Sequence, residues 1–263
     1  MEHITSRKNP LISHIRKLAA DRAYRRESGE FLGDGTKLLE EAVRWNAHFT
    51  AVVCSPGIPF PPIQGVRKIE VPGDVMASIS PAKSPQGTLF VAKLPDTAPP
   101  ERLTGRRWLV LDGLQDPGNV GTIWRTADAF GADGLILVNR CADPFSPKTV
   151  RATMGACFRL PVYEMVVEDL PGLLERSGLS LYAAAVWKNT VDIETVQLDR
   201  CAVVIGSEGK GVSPELLSLS QKAVQIPMRA RCESLNAAAA ATVILWEMSK
   251  NYSGGKGIEF WQN

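Results

Sequence analysis

Five short apolar runs in the second half of the chain do most to limit its fold. They are RRWLVLDGL from Arg106, DGLILVN from Asp133, LSLYAAAV from Leu179, CAVVIGS from Cys201 and KAVQIP from Lys222. Each is closed by a turn signal, and helical segments lie between them. Apolar strands of this kind, alternating with helices, predict a parallel sheet covered on both faces. The first hundred residues carry a looser mixture. Leu11–Tyr24 and Gly35–Trp45 have helical spacing, while FTAVVCS and GTLFVAKL read as strands. PDTAPPERLTGR, over 95–106, is rich in proline and polar groups. The expectation is therefore a smaller α/β domain over 1–95, a linker over 96–106 and a larger α/β domain over 107–263.

Composition narrows the function classes. The chain has 263 residues and a net charge of +2, as expected of a soluble globular protein. Its apolar helix after Asn236 is too short to span a bilayer, and the N-terminus lacks the apolar stretch of a secretory signal. Five scattered cysteines in no C-x-x-C pair suggest reduced thiols in a cytoplasmic protein, with no metal site. All three histidines fall in the first fifty residues. Acid–base work in the larger domain therefore rests on carboxylates, amines, guanidinium groups or water. Seven basic residues between Arg7 and Arg26, against the single acid Asp21, form a segment able to meet phosphates or simply a solvated helix face.

Ligands of open parallel sheets bind beyond the carboxyl ends of the strands, so the loops after the apolar runs are the place to look. After the first run, DPGNVG opens a helix carrying Asn119 and Arg125. Neither a dinucleotide fingerprint nor a P-loop is present. After the fourth comes SEGKGVSPEL, where Glu208 stands in a glycine loop with no packing reason to be there, and Ser213–Pro214 suits a helix start. After the fifth, ESLN precedes five alanines; Ser234 is a candidate cap for that helix or part of a ligand site. Asn119 has a plain alternative as a turn residue, and Arg125 as a surface charge. Taken together, Asn119, Arg125, Glu208, Ser234 and Asn236 form one candidate site.

The same segments resemble a known family. DPGNVGTIWRTADAFGADGLIL, VVIGSEGKGVS and IPMRARCESLNAAAA are similar to the three ordered motifs of the SpoU/TrmH RNA 2′-O-ribose methyltransferases of the SPOUT class. SPKTVRATMGACFRLPV, between the first two motifs, resembles that family too. ITSRKNPLISHIRKL, FLGDGTKLLEEAV and SPAKSPQGTLFV resemble its substrate-binding domain. The resemblance implies methyl transfer from S-adenosyl-L-methionine to a ribose 2′-hydroxyl in RNA, chiefly ribosomal RNA. It also implies a C-terminal trefoil knot and a homodimer through the C-terminal domain. By the same resemblance Arg125 is the catalytic arginine, and Asn119, Glu208, Ser234 and Asn236 are site positions. Gly206, Ile226 and Leu235 match cofactor contacts, with the strand end at Ala183 beside them. Asp34 stands where relatives often carry Glu. A transfer-RNA methyltransferase and a non-catalytic RNA-binding or ribosome-assembly factor are the competing readings.

Overall fold

Alternation within the apolar runs decides how the larger sheet is covered. A computed structural model describes residues 1–187, 190–229, 231–232 and 234–250. Ala230 and Glu233, inside the third motif, lie outside the described residues. Seven strands form the larger sheet: β6 (Arg107–Asp112), β7 (Gly134–Val138), β8 (Val162–Glu164), β9 (Ser180–Ala184), β10 (Val191–Asp192), β11 (Cys201–Gly206) and β12 (Lys222–Gln225). Their order is β10-β12-β9-β11-β6-β7-β8, and every pairing is parallel. Leu109, Leu111, Leu135, Leu137, Val203 and Ile205 point to one face; Trp108, Val110, Ile136, Val138, Ala202 and Val204 point to the other. A period of two with both faces apolar is the mark of a doubly covered sheet.

Helices α5 (Pro117–Ala129) and α9 (Ala237–Lys250) cover the first face; α7 (Leu170–Ser177) and α8 (Pro214–Leu219) cover the second. Helix α5 starts where the sequence permits. Asp116 accepts the N–H of Gly118 at 3.1 Å, and Pro117 takes the first helical position, where its missing N–H costs nothing. Gly121 lets α6 (Pro147–Thr153) approach: a Cβ there would lie 2.5 Å from the Ala152 Cβ and the Thr149 carbonyl oxygen. Trp124 is buried and gives its indole N–H to the carbonyl of Leu160 at 3.0 Å. Burying a side chain of this size contributes roughly 2–3 kcal/mol.

The first half forms a mixed sheet, ordered β1-β4-β3-β5-β2, from β1 (Glu2–His3), β2 (Glu30–Asp34), β3 (Phe49–Cys54), β4 (Arg67–Glu70) and β5 (Thr88–Lys93). Helices α1 (Pro10–Ala20), α2 (Arg22–Ser28), α3 (Thr36–Arg44) and α4 (Gly73–Ile79) pack on it. The helix expected over Leu11–Tyr24 breaks at Asp21, whose extended backbone ends α1 and whose carboxylate caps α2. The strands β1, β2, β4, β8 and β10 escaped the sequence reading because they are short and broken by charged residues (EH, EFLGD, RKIE, VYE and VD), so none offers a continuous apolar run.

One core runs between the two sheets. Phe31 meets Phe145 and Phe158, and all three belong with Trp124 to a single apolar cluster. Ion pairs frame it: Arg22 and Arg26 with Glu164, Arg25 with Asp143, Arg151 with Asp34, and Arg159 with Glu41. The basic N-terminal segment thus has work inside the molecule. Arg16 bonds Ser78, and Arg7 pairs with Asp74. Asp34 accepts from Ser80 and Arg151, each at 2.8 Å. The stretch 95–106 is no free tether. Leu103 is buried and donates its N–H to Ser177 Oγ at 2.9 Å, and Thr97 accepts from the Glu164 N–H.

Candidate active site

The carboxyl ends of β9, β11 and β12 open into a cleft of about 190 Å³. Ala184, Ile205, Val224, Ala237 and Ala240 give it an apolar lining, and Ser207, Glu208 and Ser234 bring polar groups to it. Gly206, Ile226 and Leu235, expected from the resemblance, all line this cleft. Ala183 does not. Its side chain is fully buried in the cluster on the opposite face of the sheet. Successive strand residues face opposite ways, so the β9 end reaches the cleft one residue later, through Ala184, Ala185 and Val186.

Backbone polar groups are available here. Ile226 and Leu235 make no backbone hydrogen bond among the described residues. Donors and acceptors left open beside an apolar lining suit a flat, neutral heterocycle held by main-chain bonds. The Gly206 backbone lies under the return of its own loop: an added Cβ would sit 2.1 Å from the Gly211 carbonyl carbon. Ser207 and Gly211 form an antiparallel bridge, closed by a 2.8 Å bond from the Gly211 N–H. Beneath the loop, the buried carboxylate of Asp112 accepts the Ser213 N–H at 2.6 Å and the Asn139 amide at 2.7 Å. Ser213 does sit at the start of α8, as the sequence suggests, but its hydroxyl is buried without a partner and makes no cap bond.

Beside the cleft, three motif residues form a chain. The Asn236 amide donates to Asn119 Oδ1 at 3.2 Å, and the Asn119 amide donates to a Glu208 carboxylate oxygen. Asn236 also accepts from the Ala238 and Ala239 N–H groups, at 2.9 and 3.3 Å. The cap of α9 is therefore Asn236, and the cap reading of Ser234 fails. Ser234 instead lines the cleft. Arg125 lies further along α5, exposed, with no hydrogen-bond or ion-pair partner among the described residues. Asp116, at the head of α5, has its carboxyl held below the usual range by the Lys148 ammonium at 2.7 Å and by the Gly118 N–H.

Comparison with known proteins gives the family. The model of the SpoU rRNA methylase family matches residues 106–246, and that of an MRM3-like substrate binding domain matches residues 9–89. An uncharacterized tRNA/rRNA methyltransferase of Synechocystis is 37% identical, over 93% of this chain and 92% of its own length. The 23S rRNA (guanosine(2553)-2′-O)-methyltransferase of Bacillus subtilis is 30% identical, over 94% of this chain and 99% of its own length. Among solved structures, the AdoMet-bound rRNA methyltransferase from Sinorhizobium meliloti superimposes with a TM-score of 0.84 at 30% identity. That match covers 96% of this chain and 99% of the other.

Proposed function

This protein belongs to the SpoU rRNA methylase family, as an S-adenosylmethionine-dependent RNA 2′-O-methyltransferase acting on ribosomal RNA, and we propose that the cleft beside Asn119, Glu208 and Asn236 is where it works. One observation carries the assignment. Three loops distant in sequence place their polar motif residues in one hydrogen-bonded chain at the rim of an apolar cleft.

The residues fit the cofactor. The apolar lining would hold the adenine ring, and the open main-chain groups of Ile226 and Leu235 would be free to hydrogen-bond it. Bound there, S-adenosylmethionine supplies a methyl group already activated by its sulfonium, so the chain's task is mainly positioning. Glu208 is the carboxylate at the cleft, oriented by Asn119, and it receives the hydroxyl proton. A guanidinium is a poor proton acceptor in proteins. We therefore give Arg125 the role of a clamp that holds a phosphate and stabilises the oxyanion as it develops. Ser234 and Asn236 orient the nucleotide at the cleft mouth.

Three further assignments belong to the same proposal. The chain is knotted; in support, β11 inserts between β6 and β9, and α9 returns to pack on α5. It is a homodimer through the C-terminal domain; in support, Trp246, half exposed, stacks edge-on against Phe130 beside an alanine-rich helix surface. It works in the cytoplasm, in keeping with thiols that form no disulfide.

Calorimetric titration with S-adenosylmethionine tests the core of this reading, in the wild type and in Ala240→Leu. Leucine at 240 adds bulk to the cleft wall from a half-buried position on α9. Saturable binding by the wild type and none by the variant, with unchanged melting, is the expected result. Equal binding by both proteins would place the cofactor elsewhere.

A further inference from the structure

The turn after β7 holds two consecutive left-handed residues that are not glycine, Asn139 with φ 53° and Arg140 with φ 56°. Asparagine tolerates that region; arginine visits it rarely. The turn is held in place by its surroundings. Asn139 donates to the buried Asp112 at 2.7 Å, Gln115 donates its amide to the Arg140 carbonyl at 2.7 Å, and the Gly113 N–H reaches the Val138 carbonyl. A turn alone would form more readily with Asn or Gly at position 140.

The Arg140 side chain gains nothing within the molecule from this arrangement. It is exposed and has no hydrogen-bond or ion-pair partner among the described residues. Arg200, also left-handed, differs: its guanidinium bonds the Ser177 carbonyl. Backbone strain that the surroundings impose without a packing return gathers at functional sites.

Its place in the fold suggests the function. On one side, Gln115 precedes Asp116, the cap of the helix that carries Asn119 and Arg125. On the other, the next residue, Cys141, accepts from Arg22 of α2 at 3.3 Å, and Asp143 pairs with Arg25. Arg140 thus stands between the first domain and the methyl-transfer cleft. We propose that Arg140 is a positioning residue that grips a phosphate of the RNA backbone between those two parts. A planar guanidinium fork suits a phosphate oxygen pair. The inference rests on the reading of the previous subsection.

The test uses the full chain, deproteinised ribosomal RNA and two variants. Arg140→Asn keeps a residue that accepts the left-handed turn but removes the cation; Arg140→Lys keeps a cation. Arg140→Asn is expected to weaken RNA binding and raise the RNA KM by about tenfold, and to reduce the log–log salt slope by about one. S-adenosylmethionine affinity and kcat stay at wild-type values, and Arg140→Lys recovers most of the loss. RNA affinity and salt slope unchanged in Arg140→Asn would overturn the inference. So would a loss of cofactor binding or of dimerisation with RNA affinity intact. Failure of the wild type itself to bind and methylate the RNA would overturn the preceding reading, and this one with it.

Discussion

Asn236 donates its side-chain amide to Asn119 across 3.2 Å, and so ties the start of α9 to the first turn of α5. The same side chain caps α9 through its carbonyl oxygen. Structure and chemistry therefore meet in one residue, and substitutions can separate them. Aspartate still accepts the cap bonds but cannot donate to Asn119. Asn236→Asp should melt within a few degrees of the wild type and lose methyl transfer by tenfold or more. Asn236→Ala should lose both, with about 1 kcal/mol of stability gone with the cap. A thermal melt and a radiolabelled methyl-transfer assay read the two effects. Full transfer by Asn236→Asp would remove the Asn236–Asn119 bond from the mechanism.

Arg125 offers the opposite case, since nothing described in the fold depends on it. An exposed side chain without partners can change with stability held within about 0.5 kcal/mol. As the electrostatic clamp it should matter greatly in transfer. Arg125→Lys keeps the charge and loses the fork, and its kcat should fall by about a hundredfold. Cofactor affinity in the same variant should stay constant. A variant with wild-type kcat would show that Arg125 neither clamps nor moves a proton.

Gly206 is a poor place to block the cleft, because its own loop already lies on it. A methyl group at 206 would drive the Gly211–Val212 backbone away. Gly206→Ala should therefore lose 1–3 kcal/mol of stability, in the range found for overpacking, together with cofactor binding. Chemical denaturation checks the first effect and calorimetry the second. Cofactor binding lost at unchanged stability would mean that the loop yields and that the glycine serves only the ligand.

Much of this was legible in the sequence for a physical reason. Strands buried on both faces must be apolar throughout, so the central strands β6, β7, β9, β11 and β12 stood out. The strand-end rule then pointed to Asn119, Glu208 and Asn236 before any contact was known. What could not be read depends on single steps of geometry. Ala183 and Ala184 are both small and apolar, and only the register of β9 decides which one faces the cleft. Ser234 and Asn236 are both good caps, and only the start of α9 at Ala237 selects between them. The basic residues of α2 could be read only as a phosphate surface or a solvated face, because their partners, Glu164 and Asp143, lie more than a hundred residues away. Arg140 belongs to none of the motifs read from the sequence. Its left-handed backbone has no sequence signature.

The cysteines allow a test of the fold's packing that does not depend on activity. Burial pushes the thiol of Cys141 up to about 11 and those of Cys157 and Cys201 up to about 12; it raises Cys54 as well. The reactive species is the thiolate, so these four groups are shielded twice, by access and by protonation. Cys232, in the third-motif loop, is exposed. Titration of the native protein with a chromogenic disulfide at pH 8 should therefore show one rapid thiol, and denaturant should release the other four. S-adenosylmethionine should slow the rapid phase, because Cys232 lies in the loop between Met228 and Ser234, both of which line the cleft. Two or more rapid thiols would mean that part of the buried core opens in solution. A rapid phase indifferent to the cofactor would separate Cys232 from the cleft.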